Sequence, residues 1–117
     1  MKTKKLTFRP ATQKEMEVCS GLIGYLKTTF ENLVKAFGEP DDFFDDYKSD
    51  ASWHVTSSDG TMIDIYNYKD GTNYLGEEGL DVTEITNWHL GGEGEIFSEV
   101  AKALEKATKG KFSKLGF

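Results

Sequence analysis

His54, Asp64 and His89 are the residues in this chain best suited to chemistry. A carboxylate beside an imidazole fixes its tautomer for acid–base work, and the same pair can serve a metal as ligand and outer partner. All three residues are read onto strands, His54 and Asp64 opposite one another in a hairpin and His89 on a later strand, on a sheet face left uncovered by helices. The competing reading is an ordinary exposed cross-strand pair. Nothing nearby supplies a nucleophile, and two His with one Asp make an incomplete zinc set. A separation beyond about 8 Å would remove the chemical reading altogether.

Other motifs fall short for stated reasons. Gly91-Gly92-Glu93-Gly94-Glu95, between a strand and a helix, has the outline of a phosphate loop. Glu93 and Glu95 would set negative charge where the anion must sit, and no Walker lysine follows. Asp70-Gly71-Thr72-Asn73 with Glu77, Glu78 and Asp81 invites a calcium reading. Counted as an EF-hand loop, it has Tyr74 and Leu75 at the fifth and sixth positions and Asp81 at the twelfth, which breaks the ligand pattern. Cys19 cannot close an internal disulfide, being the single cysteine, and Glu15 and Glu17 oppose a reactive thiolate. The sequence therefore implies no catalytic set, no metal and no cofactor.

The most unusual segment mixes acids with rings: Asp41, Asp42, Phe43, Phe44, Asp45, Asp46 and Tyr47. A solvated loop pinned by its aromatics is the plain reading. The functional reading is a protein-binding edge, extended by Tyr66 and Tyr68, in which acids steer a basic partner and rings anchor it. One form of that reading is mimicry, in which dense negative charge occupies a nucleic-acid-binding cleft.

Charge layout supports it. Residues 15–101 carry 19 acids against Lys27, Lys35, Lys48 and Lys69, a net of −15, whereas residues 1–14 hold five basic groups and no acid. Residues 102–117 hold five lysines against Glu105. An acidic body repels phosphate, so direct nucleic-acid binding through it is not expected. At 117 residues and 38% hydrophobic, the chain is read as a single domain with one core and basic, flexible ends at 1–14 and 108–117. No apolar run reaches the roughly 18–20 residues of a membrane span, and no signal-peptide stretch opens the chain. The expectation is a cytoplasmic protein without membrane contact.

The elements that must position these residues follow from pattern. Residues 6–8 read as a short opening strand before Pro10, and 22–26 as a buried strand or an irregular lead-in. Thr28 and Glu31 have capping-box spacing, and Phe30, Leu33, Val34 and Phe37 form one helical stripe ended by Gly38 and Pro40. A three-residue loop Ser58-Asp59-Gly60 would pair Val55 with Ile63 and Trp53 with Ile65, placing all four on one face and His54 across from Asp64. Residues 69–81 read as a loop. A strand over 85–90 puts Trp88 and Leu90 on one face and His89 on the other, and is broken by the glycines after it. A helix from about Glu95 to Ala107 buries Ile96, Phe97, Val100 and Leu104. The fold class is α+β, a mostly antiparallel sheet with two helices on one face.

Several segments also carry a resemblance: Gly24-Tyr25-Leu26-Lys27-Thr28-Thr29-Phe30, Phe37-Gly38-Glu39-Pro40, Tyr47-Lys48-Ser49-Asp50-Ala51-Ser52-Trp53, Ile65-Tyr66-Asn67-Tyr68-Lys69 and Ile85-Thr86-Asn87-Trp88-His89-Leu90-Gly91-Gly92. Together they resemble a family of small uncharacterised proteins encoded by bacteriophages and prophages. The resemblance brings no catalytic residue with it. It implies a phage accessory protein in a bacterial cytoplasm. The acidic body, the ring-bearing acidic loop and the lack of a catalytic set add the expectation of a non-enzymatic protein that binds a host or phage protein. An inhibitor of host defence, of anti-CRISPR or anti-restriction type, fits that class. The alternatives are a small enzyme or metal-binding domain using the His/Asp cluster, and a minor virion or assembly component.

Overall fold

Trp53 and Val55, and Ile63 and Ile65, alternate with polar residues, and that period-two pattern folds as a hairpin with one apolar face. In the structure, a computed structural model describing residues 6–16, 21–40, 51–67, 75–92 and 98–114, this hairpin lies within a six-stranded antiparallel sheet. The strands are β1 (Phe8–Pro10), β2 (Gly21–Lys27), β3 (Ser52–Ser57), β4 (Met62–Tyr66), β5 (Asn87–Gly92) and β6 (Lys111–Lys114), ordered β1-β3-β4-β5-β2-β6. The helices are α1 (Gln13–Met16), α2 (Phe30–Phe37) and α3 (Ser98–Thr108), and short 3-10 turns span Gly76–Glu78 and Val82–Glu84. The class is α+β, as the pattern predicts.

Val55 pairs with Ile63, Trp53 with Ile65 and His54 with Asp64, the register expected from the three-residue loop. Gly60 takes the left-handed conformation there, with φ +93°, and its amide donates to the Ser57 carbonyl. The apolar face joins Leu26, Trp53, Val55, Ile63, Ile65, Trp88 and Leu90 to Leu33 of α2 and to Val100 and Leu104 of α3, all buried. Trp53 meets Trp88 edge-on at 5.4 Å and Phe30 at 5.7 Å. Both indole N–H groups are used: Trp53 donates to the Gly38 carbonyl and Trp88 to that of Thr28, so the rings enter the core without an orphan donor.

Three local features differ from the sequence pattern. The α2 cap is Thr29, whose hydroxyl accepts from the Asn32 amide at 3.1 Å, not Thr28. Thr28 is buried and held elsewhere: its amide donates to the Thr86 carbonyl and its hydroxyl to that of Thr108. Freed from a capping box, Glu31 pairs with Lys35 on the exposed side. Gly91 and Gly92 do not break β5 but continue it, pairing with Asp64 and Ile63 on one side and with Leu22 and Gly21 on the other. A β-bulge between Leu22 and Gly24 turns Ile23 toward the core. A Cβ at Gly92 would come within 2.8 Å of Ile23 Cδ1, so glycine there leaves room for the bulged side chain.

Two elements went unrecognised in the sequence. β6 lies within the basic end and pairs with β2. Residues 12–15, Thr-Gln-Lys-Glu, are a capping box in their own right: the Thr12 amide donates to Glu15 and the Glu15 amide to the Thr12 hydroxyl, forming α1. No helix of the described residues is long and apolar enough to cross a membrane. Ile96 and Phe97, together with Cys19 and the glutamates of the glycine run, lie outside the described residues.

Candidate functional site

The sheet face away from α2 and α3 carries the side chains singled out for chemistry, and strand register sets their neighbours. One row across the sheet reads Ser113, Tyr25, His89, Tyr66 and Ser52. The next reads Leu22, Gly91, Asp64 and His54. His54 and Asp64 therefore share a row, while His89 belongs to the other, diagonal to Asp64.

His54 Nε2 lies 3.6 Å from Asp64 Oδ1, ion-pair range but too long for a good hydrogen bond. The pair is not the exposed surface pair expected from the sequence. Side-chain exposure is 11% for His54 and 14% for Asp64, so both groups are largely enclosed. His89 is held by rings, edge-on to Tyr25 at 5.2 Å and stacked with Tyr66 at 5.5 Å. Those contacts orient the imidazole by packing, at separations usual for aromatic pairs. Among the described residues, no group of three His, Cys, Asp or Glu is placed to hold a metal ion.

At the β1 side, Glu15 is the electrostatic centre. Arg9 grips it with a two-pronged guanidinium fork, both N–H···O distances 2.9 Å. The Thr12 amide and the Thr56 hydroxyl also donate to it. The Arg9 hydrogen bonds, then that of Thr12, hold its carboxyl down at about 2. This arrangement joins β1, α1 and β3, a structural clamp rather than a reaction centre.

Of the proposed partner-binding residues, Tyr66 is described and half-buried against His89. Asp41, Asp42, Phe43, Phe44, Asp45, Asp46 and Tyr68 lie outside the described residues. A second acidic surface is described, and sequence reasoning passed it over as loop. Leu75 and Leu80, 43% and 44% exposed, bracket the turn bearing exposed Glu77 and Glu78. Exposed Asp81 and Glu84 follow, on a turn that is itself capped. The Asp81 carboxylate accepts from the Thr83 amide and hydroxyl, and the Asp81 amide donates to Glu84. Those Thr83 bonds depress the Asp81 carboxyl below its ordinary range. Val82 packs on the core and Ile85 is buried, so the acids stand on an anchored turn. The Asp-Val-Thr-Glu spacing of residues 81–84 was the available sequence signal. It also gives Asp81 a structural task; Asp70 to Asn73, the start of the calcium reading, lie outside the described residues.

The chain matches no protein-family model and no curated protein.

Proposed function

We propose that this protein is a non-enzymatic binding protein that docks on a basic protein surface through a carboxylate-rimmed apolar patch. One observation carries the reading: two large leucines, Leu75 and Leu80, stand exposed among Glu77, Glu78, Asp81 and Glu84. Apolar anchors within a charged rim are how protein interfaces are built, the rim steering encounter and the anchors supplying affinity. The turn at 82–84 is preorganised by its own capping bonds, which lowers the ordering cost of association. The net of −15 over residues 15–101 fits a partner that ordinarily binds polyanions, a host nuclease above all. The resemblance to phage proteins supports a phage-encoded inhibitor of host defence acting in the bacterial cytoplasm.

Calorimetric titration of the purified protein against host restriction and CRISPR nucleases tests this. The expected result is stoichiometric binding that weakens with salt and with Leu75→Ser/Leu80→Ser. Copurification with phage particles instead would indicate an assembly component.

A small enzyme is the second reading, favoured by the approach of His54 to Asp64. Its mark would be an activity lost in His54→Gln while the Leu75→Ser/Leu80→Ser protein retains it.

A further inference from the structure

The corner where β2 meets β6 has chemistry the reverse of the acidic turns. Lys27 and Lys111 are directly paired across the two strands, and both are exposed. Like charges set opposite one another on a sheet cost stability. Among the described residues no carboxylate pairs with either lysine. Glu105, the acid nearest Lys111 in sequence, is engaged by the Phe112 amide at 2.9 Å, and Glu31, the nearest to Lys27, pairs with Lys35. The lysines of α3 complement the helix C-terminus, and lysine on an edge strand deters edge-to-edge pairing. Neither reason accounts for Lys27 facing Lys111.

Side-chain alternation puts a ring beside this pair. Phe112 packs toward the core, where a Cβ on Gly24 would meet it at 2.9 Å. Ser113 and Lys111 therefore share the other face with Tyr25 and Lys27. The inner side of the Tyr25 ring is taken by His89, but its outer neighbour is Ser113, small and exposed. That leaves a slot beside a half-buried aromatic ring, about 7 Å along the strand from two lysines.

We propose that this corner binds single-stranded nucleic acid, one base stacking on Tyr25 over Ser113 and the adjoining phosphate lying between Lys27 and Lys111. A ring face with a cationic strip beside it is the minimal platform for a single strand. The stacking slot demands an unpaired base, which duplex does not offer. Exposed Lys109 lies two residues before Lys111 and adds positive charge beside the pair, so more than one phosphate is matched and a chain fits better than one nucleotide. The net negative charge of residues 15–101 disfavours nucleic acid over most of the body, which favours this basic corner. The assignment stands independently of the protein-binding surface at Leu75 and Leu80.

Fluorescence anisotropy with a labelled oligothymidylate of about twelve nucleotides, at about 50 mM salt, tests the site. Lys27→Glu/Lys111→Glu is expected to weaken binding at least about tenfold and to reduce the log–log salt slope by about 1.4. Lys102→Glu/Lys106→Glu makes the same change in net charge on exposed α3 positions and is expected to weaken it less than about threefold. Ser113→Ile, a strand-compatible substitution, closes the slot and is expected to weaken binding about tenfold without lowering Tm. Absence of binding, equal losses from both lysine pairs, or full binding by Ser113→Ile would overturn the proposal. So would duplex or mononucleotide binding as tight as the single strand.

Discussion

Arg9, the Thr12 amide and the Thr56 hydroxyl all donate to Glu15, and at residue scale this makes Glu15 the main acid-sensitive point described. Its folded-state value of about 2 lies below the ordinary 4.5. The clamp's stabilisation is therefore fully present above about pH 4.5 and drains away as pH falls toward 2. Asp59, bonded by the Ser57 hydroxyl, and Asp81, bonded by Thr83, are depressed too and add in the same direction. Thermal melts of the wild type and Glu15→Gln should differ most near neutral pH and converge near pH 2; a constant gap would contradict the assignment. The His54–Asp64 pair makes a separate prediction. Because both side chains are mostly enclosed, a double-mutant cycle with His54→Ala and Asp64→Ala should show coupling of about 1 kcal/mol by denaturant unfolding. Additive losses would mean that the two groups are merely adjacent.

At the scale of elements, what could be read from the chain was what strict periodicity encodes. Trp53, Val55, Ile63 and Ile65 admit one register with a common apolar face, and Phe30, Leu33, Val34 and Phe37 admit one helix. The cap of α2 was misplaced by one residue because Thr28 and Thr29 offer the same hydroxyl, and only the tertiary bond from Thr28 to Thr108 decides between them. Thr29→Ala should accordingly cost about 1 kcal/mol, an exposed cap's worth. Thr28→Val should cost a comparable amount through a different loss, the buried bond to the Thr108 carbonyl; chemical denaturation measures both. β6 escaped notice because Lys-Phe-Ser-Lys has a single apolar residue, and its pairing depends on a distant glycine. A Cβ at Gly24 would sit 2.6 Å from the Ser113 carbonyl oxygen and 2.9 Å from the Phe112 ring. Gly24→Ala should push β6 off β2, costing about 1–3 kcal/mol and speeding amide exchange at residues 111–114 while β3 and β4 stay protected. Equal exchange changes across the sheet would contradict that locality. The candidate chemistry was legible in part: the hairpin register brings His54 to Asp64, but nothing in their spacing reveals that both side chains are largely enclosed.

At the scale of the molecule, among the described residues, Glu77, Glu78, Asp81 and Glu84 stand exposed on the anchored turns between β4 and β5, and exposed lysines line β6 and the end of α3. Such a layout confers opposite preferences on the two regions, and two of the three exposed leucines among the described residues, Leu75 and Leu80, lie with the acids. Neither leucine was legible as a site, because an exposed apolar residue has no pattern of its own in a sequence; only the fold shows that Leu75 and Leu80 are left outside while Val82 and Ile85 are drawn in. The account centres on that patch as the docking surface for a basic protein. Its most direct test is calorimetry of the wild type and of Leu75→Ser/Leu80→Ser against the host nucleases proposed as partners, at two salt concentrations. The account predicts at least about a tenfold loss on removing the leucines, as for truncated hot-spot residues, and weaker binding at the higher salt for the wild type. Unchanged affinity in the variant, with its fold intact by circular dichroism, would contradict it.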